Sequence, residues 1–242
     1  MAAPQLPVQN ALEHSRGFVP PWWLAVVLLL LLLGKVIATV YFANTTFDFT
    51  DGGCYMLWYD GPENDPHPFY YFHRIVLGLF PSVEWNIISL RILKMASELL
   101  VIAAMTFAVY QNLKESSKGI RTLLFTFGFI GLGYFSTWFS WIFYEYDLTY
   151  LLSVVGLSLV LGSIKVKRKW VFTLLVVVAG VLVSIQFFNK FSTSILLLLA
   201  IAVIIQLCRP GWRHHLAFSV GIALGLAAFF MIIDYTFEQW YQ

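Results

Sequence analysis

The sequence predicts an all-α polytopic membrane protein, and three observations carry that prediction. Of the 242 residues, 60% are hydrophobic and only 12% are charged, about half of the ~25% charge of a soluble domain. Apolar runs long enough to cross a bilayer, about 20 residues each, recur seven times. Ten of the fifteen lysines and arginines fall in alternate connecting segments, the pattern of a multi-pass protein.

The elements follow in order. Residues 1–21 read as a cytoplasmic tail, too long and polar to be the basic head of a cleavable signal. The first apolar run has no convincing small-x-small cleavage site, so it reads as an uncleaved span. Residues 22–242 then form one membrane domain with spans at 22–42, 87–110, 122–143, 148–164, 170–187, 192–207 and 216–237. The fifth and sixth must be divided at Phe188-Asn189-Lys190, because one helix from 170 to 207 would overshoot any bilayer.

Sidedness follows from the cations. With the N-terminus inside, the inner segments hold Arg16, then Lys114, Lys118 and Arg121, then Lys165, Lys167, Arg168 and Lys169, then Arg209 and Arg213. The outer segments hold Arg74 and Lys190, while Asp48, Asp51, Asp60, Glu63, Asp65, Glu84, Glu145, Asp147, Asp234 and Glu238 fall outside. This predicts a cytoplasmic N-terminus, with the C-terminus and the long first loop (43–86) on the non-cytoplasmic side. The inner clusters anchor loops and touch anionic membrane lipid. They do not line one face, so no nucleic-acid partner is indicated. Cys54 and Cys208 fall on opposite sides, which excludes a disulfide between them, and no metal-ligand spacing is present. An odd number of spans without matching halves weakens a carrier built on inverted repeats.

The long polar interruption is residues 47–74, FDFTDGGCYMLWYDGPENDPHPFYYFHR. It gathers Asp48, Asp51, Asp60, Glu63 and Asp65 with His67, His73 and Arg74 among many aromatics. Loops of this length are usually functional or disordered, and aromatic density argues against disorder. Asp51 precedes two glycines that let the backbone turn sharply. It reads either as a general base for an acceptor hydroxyl or amine, supported by Asp48, or as the cap of a short helix. Glu145 and Asp147, in the next outer segment, read as solvated loop residues.

Four charges fall inside spans: Lys35, Arg91, Lys94 and Glu98. Spacings of three and four put the last three on one stripe of the second helix. Counted at the helical rise, Lys35, Arg91 and Lys94 lie at similar depth, the latter two roughly 9 and 13 Å below Trp85. On one reading Lys35 and Arg91 snorkel to the headgroups while Lys94 pairs with Glu98. On the other, these cations with Arg74 and Lys190 form a site for an anionic headgroup.

The layout resembles the N-terminal membrane module of the GT-C superfamily of integral-membrane glycosyltransferases. The resemblance rests on Asp48 and Asp51 in FDFTDGGCYMLWYDG, on Pro66-His67-Pro68-Phe69-Tyr70-Tyr71, on Ser89-Leu90-Arg91 entering the second helix, on the outer turn Gln186-Phe187-Phe188-Asn189-Lys190-Phe191, and on the inner turn Arg209-Pro210-Gly211-Trp212-Arg213. It implies a GT-C-like fold with short surface helices in the first loop. It also implies an inverting enzyme that takes a sugar from a polyprenyl-phosphate donor in the outer leaflet. Asp51 would be the base with Asp48 beside it. Lys190, Arg74 and Arg91 would meet the donor phosphate, and Tyr55, Trp58 and His73 would line the sugar or lipid path. No cofactor is required, and the acidic loop leaves a divalent metal open. Family members usually continue past the seventh span, so this chain is expected to be a fragment, a remnant without activity, or a minimal enzyme whose partner subunit chooses the acceptor. The competing class is a non-enzymatic scaffold or assembly subunit that binds its partner through the outer loop; a carrier of lipid-linked sugars is a third.

Overall fold

A computed structural model describes residues 19–41, 75–76, 86–135, 143–209 and 211–233. Among them are seven helices and no strand: α1 Trp22–Tyr41, α2 Ile87–Asn112, α3 Ile120–Tyr134, α4 Glu145–Ser163, α5 Lys169–Asn189, α6 Phe191–Cys208 and α7 Trp212–Ile233, with a single 3₁₀ turn at Glu115–Ser117. Each expected span corresponds to one helix. Six are long and apolar enough to cross a bilayer, and α3 is shorter. The chain is an all-α, multi-pass membrane protein. The first loop, apart from Ile75, Val76 and Asn86, lies outside the described residues, and so do its expected surface helices.

Local chemistry sets the ends of these helices. Asn86 caps α2 by accepting the Ser89 amide at 2.9 Å, an N-cap role that its side chain suits. Between α5 and α6 there is one residue, Lys190. Its amide donates to the Gln186 carbonyl at 2.7 Å and its carbonyl accepts from Ser194 at 3.1 Å. At the opposite end of the bundle, Arg209 donates to the Ile164 carbonyl at 2.6 Å and to that of Val166 at 3.1 Å. Lys165 and Asn112 likewise donate to the Asn112 and Leu161 carbonyls at 3.3 and 3.0 Å. Basic and amide side chains thus satisfy carbonyls at and just past the helix C-termini.

The packing order runs α1 on α3, α3 on α2, α2 on α4, α4 on α5 and α5 on α7, with α6 against α5 and α4. Helices in lipid associate through close packing of small residues rather than hydrophobic burial. The α5–α7 contact shows this. A methyl group added at Gly180 would meet the Phe218 carbonyl, one at Gly221 the Val177 carbonyl, and one at Gly225 the Ser184 hydroxyl and Val181 backbone. Gly221 and Gly225 are four residues apart and so share a face of α7. Likewise Gly128 lets α3 approach the Leu28 backbone of α1, where an added Cβ would sit 3.3 Å away.

Candidate functional site

The first turn of α4 is where the charged side chains meet. Asp147, in that turn, accepts the Tyr144 amide at 3.1 Å, so the acid closes the helix start and opposes its positive dipole end. Its other carboxylate oxygen lies 3.7 Å from the Lys94 ammonium, and both side chains are largely buried. Lys94 also sits over the Tyr144 ring at 5.7 Å. Tyr144 and Tyr146 meet edge to face at 5.5 Å, and the Lys190 ammonium lies 3.7 Å from the centre of the Tyr146 ring. One helical turn of α4 therefore links a cation from α2 to the cation at the α5–α6 turn.

Two neighbouring features fix this arrangement. Asn189 Nδ2 donates to Thr149 Oγ1 at 2.8 Å in a buried contact, which sets the register of α5 against α4. Ile75 and Val76, from the far end of the first loop, are 3% and 2% exposed and pack in one apolar cluster with Leu90, Phe143, Leu148, Leu152, Phe188 and Phe229. The loop thus returns to the bundle at the same end as Asp147 and Lys190. Phe188 and Phe229 stack there with ring centres 3.4 Å apart.

Of the sequence-predicted site residues, Lys190 and Arg91 belong to this end. Arg91 is 4% exposed and shares its α2 stripe with Lys94 and Glu98, themselves 7% and 8% exposed. Arg91, Lys94 and Lys190 thus share one end of the bundle with Asp147, while Glu98 lies one turn deeper along α2 than Lys94. Asp48, Asp51, Tyr55, Trp58, His73 and Arg74 lie outside the described residues. Among the described ones no group of three or more His, Cys, Asp or Glu side chains is placed to hold a metal ion.

Two expectations are corrected, and one partner is added. Asp147 is a buried helix-start residue rather than a solvated loop acid, because α4 begins at Glu145 instead of 148 and draws it into its first turn. Lys35 turns to the C-terminus of α3 rather than to the headgroups, donating to the Leu132 and Phe135 carbonyls at 3.1 and 2.9 Å. The added partner is Asp147 itself, which pairs with Lys94 from another helix, where the spacing along α2 pointed to Glu98. The acid in the third position of a helix, directly before an apolar run, was the signal available for Asp147. No local signal pointed to the α3 carbonyls.

No family model matches the sequence, and no curated protein or solved structure matches it either.

Proposed function

We propose that this chain is a membrane glycosyltransferase module that moves a sugar from a polyprenyl-phosphate donor to an acceptor on the non-cytoplasmic face. The observation that carries this reading is the meeting of Lys94 and Lys190 at the first turn of α4, with buried Arg91 on the same stripe as Lys94. Cations at a membrane-flanking end suit a lipid phosphate. Neutralising the charge that develops on a leaving phosphate often lowers the barrier more than any other single effect. Asp51, with Asp48 beside it, takes the acceptor proton. Tyr55, Trp58 and His73 line the way to the sugar, and Arg74 joins Arg91 and Lys190 at the phosphate. Support for the sidedness comes from the alternation of cations, and Lys114, Arg121, Lys165 and Arg209 lie at the other end of the helices.

The test is transfer by the chain reconstituted in liposomes carrying a polyprenyl-phosphate sugar with a radiolabel in the sugar. Label passing to an added acceptor above the level of empty liposomes supports the reading. Label that crosses the bilayer while remaining on lipid favours a carrier. Neither movement, with a second membrane protein retained through the first loop, favours a scaffold.

A further inference from the structure

Gln186 on α5 is 0% exposed, yet neither its Nε2 nor its Oε1 has a hydrogen-bond partner among the described residues. Burying an amide without partners is costly, and buried polar groups are as a rule satisfied by protein or by ordered water. Ser153 on α4 repeats the anomaly. Its buried hydroxyl also has no partner among the described residues.

Two contacts set these side chains against each other. Asn189 donates to Thr149 at 2.8 Å. Deeper in the bundle, a methyl group added at Gly156 would meet the Leu182 side chain at 4.0 Å. Pairing of 149 with 189 and of 156 with 182 makes the two helices antiparallel. Leu182, Gln186 and Asn189 recur at spacings of four and three and so share a face of α5, and Thr149, Ser153 and Gly156 do the same on α4. With both ends of these two rows matched, Gln186 falls opposite Ser153. The face of α5 turned to α7 is a different one, carrying Gly180 and Ser184.

The groups on the two faces select the occupant. A primary amide presents donors and an acceptor together, and a hydroxyl presents a donor and acceptor sites. A cation would satisfy only the oxygens, and an anion only the N–H and O–H groups. A lipid or sugar hydroxyl brings a carbon frame that a fully buried seam does not admit. Water offers both functions without one, and buried waters make about three hydrogen bonds to such groups. Gln186 stands four residues before Lys190, roughly 6 Å below that turn, so the path from the end of the helix is short.

We propose that an ordered water occupies the α4–α5 seam and links the Gln186 amide to the Ser153 hydroxyl, donating to one and accepting from the other. The bridge ties α4 to α5 one turn beneath the Asn189–Thr149 bond. It thereby helps to hold Asp147 and Lys190, which these helices carry at the same end, in their relative positions.

Water-edited solid-state NMR on the full chain in bilayers, labelled with ¹⁵N-glutamine, tests this by reading magnetisation transfer from water to nearby groups. The Gln186 side-chain signal is assigned by its absence from Gln186→Met. Transfer to it is expected to build up within about threefold of the rate for Gln206, which is exposed on α6. Ser153→Ala is expected to reduce that transfer by about half or more, because one of the holding groups is gone. Ser163→Ala is the control, since the Ser163 hydroxyl is engaged with the Val160 carbonyl at 2.7 Å; it leaves the transfer unchanged. Absence of transfer to Gln186 in the wild type overturns the proposal, and so does undiminished transfer in Ser153→Ala. Should Gln186→Met not fold, a crystallographic map of the wild type decides. Density at about 2.7–3.2 Å from both side chains supports the bridge, and a direct bond between them, or no density there, overturns it.

Discussion

The Lys94 ammonium and the Asp147 carboxylate lie 3.7 Å apart on helices α2 and α4, and the same carboxylate accepts the amide that starts α4. One side chain thus both begins a helix and receives a cation from its neighbour. Removing one partner of a buried pair leaves a charge without compensation and costs about 3–5 kcal/mol, whereas replacing both with apolar residues is often neutral. Lys94→Met or Asp147→Leu alone is expected to lower the thermal midpoint in detergent sharply, and the double replacement to recover most of the loss. A double variant as unstable as the sum of the singles would show that the two do not act as a pair.

The glycine contact between α5 and α7 gives a second expectation. Gly221→Leu forces a side chain into the Val177 carbonyl, and overpacking of this kind costs about 1–3 kcal/mol, occasionally more. Gly34 has open space around it, so Gly34→Ala is expected to be neutral or slightly stabilising, within about 1 kcal/mol, since Gly in a helix interior is the costlier residue. Size-exclusion profiles and thermal midpoints of the two variants check the contrast, and equal behaviour would contradict the close approach.

The Asn189–Thr149 bond is expected to be worth about 0.6 kcal/mol, with about 1.7 as the upper bound for polar contacts between membrane helices. A double-mutant cycle with Asn189→Leu and Thr149→Val measures it. Zero coupling would mean that apolar packing alone holds the α4–α5 register.

The seven helices were legible in the sequence because a bilayer demands long apolar runs, and the run from 170 to 207 put a break at Phe188-Asn189-Lys190, which the structure narrows to Lys190 alone. The site was legible only in part. The spacing on α2 showed that Arg91, Lys94 and Glu98 share a stripe, but the meeting of Lys94 with Asp147 depends on how α2 is set beside α4. That setting is tertiary, fixed by contacts such as Asn112 with the Leu161 carbonyl. Lys35 escaped for the same reason: its partners are backbone carbonyls at the end of α3, which no residue type advertises. The pair Gly221 and Gly225 was there to be read as a small-xxx-small motif, but its partner face, Gly180 and Ser184, emerges only when α5 and α7 are placed together.

Topology is open to direct labelling through the two native cysteines. Cys54 falls in the first loop, and Cys208 is exposed at the opposite end of the bundle, beside Arg209. A membrane-impermeant maleimide applied to intact cells is expected to label Cys54 and to reach Cys208 only after permeabilisation. Labelling of Cys208 alone in intact cells would invert the sidedness.

The proposed role of Asp51 as the base is tested most directly by Asp51→Asn in the liposome transfer assay. The variant is expected to insert and bind the lipid phosphate as the wild type does while the transfer rate falls by about 10²-fold or more, the lower end of what a positioned general base contributes. Transfer at the wild-type rate by a correctly folded Asp51→Asn protein would contradict it.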